Sequence, residues 1–160
     1  MKTYLLLFLS LFSFYAYAED NLAQQKVKLL QNFYQQYLIP DEELAKVKKQ
    51  YKPSKFFTKE YLKITNTGDE MECADFDPYI QGQDYEHEII KKTISYQPQK
   101  NGRVKVAFKN FQNDVSLYYQ FHCQDNKCLI SDLITLFPDK EQSHSQAIKE
   151  CIEDTIKNRK

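Results

Sequence analysis

The sequence predicts an α+β fold: N-terminal helices packed on a curved four-stranded antiparallel meander, plus a C-terminal helix. Three observations carry this. Apolar residues recur at helical spacing through the first third of the chain. The spacing changes to strict alternation after about residue 88. It returns to helical spacing after Ser143. Helices grouped ahead of strands, not interleaved with them, separate this class from a parallel α/β sheet.

The chain opens with a segment that reads as a leader. Lys2 precedes an almost wholly apolar run from Tyr4 to Tyr15, and Ala16-Tyr17-Ala18 gives the small-x-small pattern of a signal-peptidase site. A membrane anchor wants about 20 apolar residues; this run is shorter and contains serines. Residues 1–18 are therefore expected to be a cleaved signal peptide and residues 19–160 a single α+β domain. The first cysteine is Cys73, too far from the cleavage point for a lipid anchor. The expected product is exported, soluble and periplasmic.

Residues 20–38 form the first expected helix, with Val27, Leu30, Tyr34 and Leu38 in one stripe, widened by Phe33 and Tyr37. Asp20 is its expected N-cap, and Pro40 stops it. A second helix is expected from Asp41, with Glu42 and Glu43 in its first turn and Lys46, Lys48 and Lys49 toward its end. A third, capped by Ser54, carries Phe57, Tyr61 and Ile64 on one side.

The strands follow. Glu88 to Gln97 reads as the first, with Ile90, Ile94 and Tyr96 on one face. Asn101-Gly102 predicts a type I′ hairpin turn, which needs positive φ at both positions. Val104, Val106 and Phe108 mark the second strand. Val115, Leu117, Tyr119, Phe121 and Cys123 mark the third, and Cys128 to Leu136 the fourth, with Asp132 in it. Such a meander buries one face and leaves the other in water. From Ser143 to Lys157, Ala147, Ile148, Cys151, Ile152, Thr155 and Ile156 form the narrow apolar side of the last helix.

Cys73, Cys123, Cys128 and Cys151 are an even set in an exported chain, which reads as two disulfides. Of three connectivities, Cys123–Cys128 is favoured because CQDNKC can close across a hairpin end, and it leaves Cys73–Cys151. Zinc binding by these thiols with His122 has poor spacing and the wrong compartment. After loss of Lys2 the chain keeps 21 basic residues against 22 acidic ones, so charge offers no reason to bind nucleic acid or an anionic membrane. Twelve Tyr and eleven Phe argue against disorder.

Three stretches resemble domain-of-unknown-function family 3828, exported bacterial proteins with a nuclear transport factor 2-like or cystatin-like cone. FYQQYL (Phe33 to Leu38) is similar to its first helix. DFDPYIQGQDY (Asp75 to Tyr85) is similar to its most characteristic motif, and CLISDLI (Cys128 to Ile134) to its last strand. The chain departs from the pattern in lacking the Trp of that strand and in its cysteines and C-terminal helix. The resemblance implies helices over a bent antiparallel sheet and no shared activity.

DFDPYIQGQD concentrates the candidate chemistry. Counted from Asp75 as an EF-hand loop, it puts Asp77 at position 3 and Glu86 at position 12. Position 5 is then Tyr79 and position 6 is Ile80 where the turn needs Gly, so the template fails. Asp75, Asp77 and Asp84 remain a non-standard calcium alternative. Asp75 with Asp77, or Asp84 with His87, are the acid/base alternative. His87 lies in a polar run and is expected to be exposed; His122 sits on a polar strand face and His144 in a loop. The favoured reading gives no catalytic residue, no metal and no cofactor. Asp75, Asp77, Gln83 and Asp84 organise the loop through backbone hydrogen bonds, and Asp132 does the same or lines a pocket. Three glycines leave no phosphate-cradling loop, and neither G-x-S-x-G nor H-E-x-x-H occurs.

The functional expectation is a non-enzymatic periplasmic protein-binding module. Its specific form is an immunity protein neutralising a secreted antibacterial toxin. The alternatives are a cell-envelope accessory protein of an outer-membrane or transport assembly, and a small-molecule binder or enzyme using a cone pocket. The expected partner is another protein; no nucleic acid and no membrane span after signal cleavage are expected.

Overall fold

The computed structural model of the protein describes residues 3–39, 52–125 and 127–159. Helix α1 (Thr3–Tyr37) leads to a 3-10 turn at Pro53–Lys55 and helix α2 (Lys59–Glu70). A long loop and helix α3 (His87–Thr93) precede the sheet. The strands are β1 (Ser95–Pro98), β2 (Val104–Asn110), β3 (Asn113–Gln124), β4 (Lys127–Leu136) and β5 (Glu141–Ser143), and helix α4 (His144–Asn158) ends the fold. The sheet is antiparallel throughout, in the order β1-β2-β3-β4-β5.

The α+β class and the meander are as expected, with five strands instead of four. The additional strand, Glu141–Ser143, is a polar tripeptide that pairs with Ile134, Thr135 and Leu136. Its place is set by the neighbouring strand, not by any apolar pattern of its own. The expected first strand is also reassigned. Ile90 and Ile94, four residues apart, share one face of an alternating strand, but they are also i and i+4 on a helix. The chain takes the helical option over His87–Thr93, with Glu88 in its first turn and Lys91 and Lys92 in its last, and only Ser95–Pro98 remains strand.

Three local expectations change for similar reasons. Asp20 lies inside α1 and does not cap it. Thr58, not Ser54, caps α2: its Oγ1 accepts from the Tyr61 N–H at 3.3 Å, while Ser54 falls in the 3-10 turn. At Asn101-Gly102 only Gly102 has positive φ, at 79°, and its N–H donates to the Gln99 carbonyl. That is a turn closed by a left-handed glycine, the three-residue G1-bulge arrangement, instead of type I′. The helix expected from Asp41 lies outside the described residues.

One continuous core joins α1 to the sheet. Leu30, Phe33 and Tyr34 of α1 meet Val106, Phe108, Leu117, Tyr119, Ile130 and Leu133, all at most 3 % exposed. Burying each such side chain contributes about 1.5–3 kcal/mol. The alternation in β4 shifts at one point. Gln120 faces Asp132 and Phe121 faces Ile130, so Ser131 is the extra residue of a bulge. Before the bulge Cys128 and Ile130 are buried in alternation, and beyond it Leu133 and Ile134 are both buried.

Both favoured disulfides are present, Cys73–Cys151 and Cys123–Cys128. The first ties the loop after α2 to α4. These two helices also touch directly: a Cβ on Gly68 would lie 2.5 Å from the Ile148 side chain, so that crossing depends on glycine. Ile148 is the one buried residue of α4, and Ile156, expected on its apolar side, is 45 % exposed. Among the described residues, no helix is long and apolar enough to cross a membrane.

Candidate functional site

The DFDPYIQGQD loop is folded around Asp77. Its Oδ1 accepts from the Tyr79 N–H at 2.8 Å, closing an Asx turn, and its Oδ2 accepts from the Tyr37 hydroxyl. The backbones of Asp77 and Gly82 bond to each other in both directions, with Gln81 in a left-handed conformation at φ 53° between them. Gly82 fits a close approach: a Cβ there would lie 3.0 Å from the Asp84 carbonyl oxygen, tight enough that the loop would have to shift. Gln83 Nε2 donates to the Asp75 carbonyl at 3.2 Å.

Asn110, 5 % exposed at the end of β2, bolts this loop to the sheet. Its Nδ2 donates to the carbonyls of Ile80 and Asp84, and its Oδ1 accepts from the Glu86 N–H. A second tether runs from α1. The Tyr34 hydroxyl donates to the Tyr79 carbonyl at 2.9 Å and lies 2.8 Å from the Tyr119 hydroxyl. Tyr34 has one proton to give, so Tyr119 donates to Tyr34. Burial pushes both phenols well above their usual pKa.

The predicted site residues separate accordingly. Asp77 and Gln83 organise the loop with their side chains. Asp75 and Asp84 are exposed and contribute backbone carbonyls, not carboxylates. Among the described residues, no three His, Cys, Asp or Glu side chains come together as a metal site. Asp132 works elsewhere, at the start of α4. Its carboxylate accepts from the Ser143 hydroxyl and from the Ser145 N–H at 3.1 Å, while Ser143 itself caps the helix through the Gln146 N–H.

Two histidines are not where the sequence suggested. His87 is half-buried, and its Nε2 bonds the Leu38 carbonyl. His144 is the first residue of α4, not a loop residue, and its Nδ1 lies 2.7 Å from the buried Tyr61 hydroxyl. Burial lowers the His144 pKa, opposed by the negative charges of Asp132, Asp69 and Asp77. Burial raises that of Asp77, opposed by its bonds from Tyr37 and from backbone N–H groups. The two groups feel each other electrostatically but share no hydrogen bond, so they are separately tethered and do not form a dyad. Sequence reasoning missed Asn110, Tyr37 and His144 as site residues. Only His144 left a signal, by following a serine placed to cap a helix.

Two hollows flank the loop. The first, about 190 Å³, is a groove lined by Cys73, Phe76, Pro78, Leu133, Phe137 and Ile148, among others. Phe76 and Phe137 stand about half exposed on it, at 51 % and 44 %. The second, about 340 Å³, is lined by Tyr37, Phe57, Asp69, Asp77, Tyr79 and His144, among others. Ala74, Phe76 and Pro78 border both, so the loop is the ridge between them.

These features define an α+β domain whose loop after α2 is pinned by a disulfide, an asparagine and a tyrosine pair. No family model matches the chain, and no curated protein matches it. It is similar to the crystal structure of a protein of unknown function from Bacteroides thetaiotaomicron, with a TM-score of 0.53 and 23 % identity. The match covers 78 % of this chain and 97 % of the other. At that identity the likeness is one of fold.

Proposed function

We propose that this protein is a non-enzymatic protein-binding module of the bacterial periplasm, and that it docks its partner on the Phe76–Phe137 groove. The observation that carries this reading is the pair of half-exposed phenylalanines on an apolar groove whose wall is held by the Cys73–Cys151 bridge. Large apolar rings left in water on a rigid concavity are what protein contacts bury at their centre. Pinning the loop beforehand lowers the ordering entropy lost on docking. The disulfides and the leader-like N-terminus support export, and an immunity protein against a secreted toxin is the specific form we favour. The kinship with domain-of-unknown-function family 3828 belongs to the same proposal.

The test is capture from periplasmic extract of the native host with the oxidised protein, wild type against Phe76→Ala/Phe137→Ala. Both rings are exposed, so the double variant should fold. It is expected to lose a specific partner that the wild type retains, and equal capture by both overturns the groove. Co-expression with that partner separates the specific forms. Relief of its toxicity supports immunity, whereas a harmless partner together with an envelope-stress phenotype on deletion supports the accessory role instead.

A further inference from the structure

The second hollow has a chemistry that the groove lacks. Its walls include the rings of Tyr37, Phe57 and Tyr79, which hold each other in place. Tyr37 and Tyr79 pack edge-on with centroids 5.2 Å apart, and Phe57 and Tyr79 lie 5.5 Å apart. Its charged members are Asp69 and Asp77. Among the described residues, no lysine or arginine lines it and neither carboxylate forms an ion pair. Asp77 is half-buried and accepts from the Tyr37 hydroxyl and the Tyr79 N–H, with the Ile80 N–H also acting on it, which leaves at least one of its roughly four acceptor positions open. His144 also lines the hollow, and burial lowers its pKa, which disfavours its cationic form. The hollow is therefore aromatic-walled and negative.

Aromatic faces and edges around an uncompensated carboxylate are the arrangement that recognises organic cations. We propose that this hollow is an ammonium-binding pocket, filled by a lysine side chain of the protein that docks on the neighbouring groove. A lysine stem packs along rings while its head group, with three donors, reaches the open positions of a carboxylate. The partner is the source because the hollow and the groove share the Phe76 ridge: a surface seated on Phe76 and Phe137 can send one long side chain over it. In this respect the inference rests on the docking proposal.

The experiment separates the two. Nα-acetyl-lysine N-methylamide is titrated into isotopically labelled, oxidised protein at low ionic strength and followed by amide chemical shifts. The norleucine analogue, which keeps the stem without the ammonium, serves as control. The lysine compound should shift Tyr79, Ile80 and Asp69 amides saturably, and the norleucine compound should not. Asp77→Asn and the exposed Asp69→Asn should each weaken binding several-fold, with Asp77→Asn near tenfold, equivalent to about 1.4 kcal/mol. Equal shifts by both compounds, or unchanged binding in both variants, overturn the pocket. If the pocket stands but Asp77→Asn leaves partner capture unchanged, the partner's lysine is overturned as its occupant, and n-butylamine binding then points to a free amine. If capture depends on Phe76 and Phe137 while the lysine compound does not bind, the pocket fails and the groove stands.

Discussion

The two disulfides close very different lengths of chain and do different work. Cys73–Cys151 spans 78 residues and joins two elements that no sheet pairing connects, the loop after α2 and α4. Cys123–Cys128 spans five, between residues that already face each other across β3 and β4. The first fixes tertiary geometry at the candidate site. The second reinforces a hairpin held by its own ladder. Stability and recognition should therefore be concentrated at the Asp77 end of the molecule, not at the tip of the β3–β4 hairpin.

The largest effect is expected from Cys73→Ser/Cys151→Ser. A loop of this length corresponds to about 4.5 kcal/mol in the chain-entropy model. Urea unfolding should show a loss approaching that figure, and the amides of residues 73–84 should exchange faster with solvent than the β2–β3 ladder. A loss confined to global stability, with the loop as protected as before, would break the assignment of this bridge to the site.

Tyr34→Phe comes next. It removes the donor to the Tyr79 carbonyl and the acceptor for the Tyr119 hydroxyl in a buried setting. Leaving buried groups unpaired costs about 2–3 kcal/mol here. Tyr34→Phe/Tyr119→Phe should cost less than the sum of the two single changes, because the double change removes both ends of that pair. Cys123→Ser/Cys128→Ser follows at about 2 kcal/mol at most. It should leave partner capture unchanged, and altered capture would mean that the hairpin tip belongs to the contact surface.

The legible and illegible parts of the sequence divide along the same line. The α1 stripe and the alternation of β2 and β3 could be read because each element meets the core with one face, and the period records that face. The short disulfide could be read from its spacing. The third helix was misread because Ile90 and Ile94 satisfy both periods. Nothing apolar in Glu141–Ser143 announces β5. Asp77 could be recognised as a loop organiser because an Asx turn is local. Its partner Tyr37 is 40 residues away, Asn110 reaches its loop across 24 to 30 residues, and Tyr61 meets His144 across 83. Contacts of that range are made by the fold and leave no local pattern, so the polar half of the site became visible only in three dimensions.

The smallest expected effect is also the one that changes with pH. A carboxylate whose pKa is raised in the folded state contributes stability that is fully present below its unfolded value, about 3.9. That contribution is lost as the pH rises through the raised value. Asp77 is such a group, so at neutral pH its ionised form is less favourable in the fold than in the unfolded chain. Asn at this position keeps an amide oxygen for the Tyr79 N–H and never ionises. Asp77→Asn should therefore match or slightly exceed wild-type stability at pH 7, by less than the Tyr34→Phe effect, and lose that advantage in acid. His144 has the opposite sign. Its pKa is lowered, so its contribution is present above the ordinary value of about 6.5 and is lost as the pH falls below it. Urea midpoints of wild type, Asp77→Asn and His144→Asn between about pH 4 and 8 read out both slopes. If Asp77→Asn were destabilising at pH 7, its carboxylate would be serving the folded loop as an anion. The hollow would then be a structural feature of the Asp77 end and not a vacancy for a partner's charge.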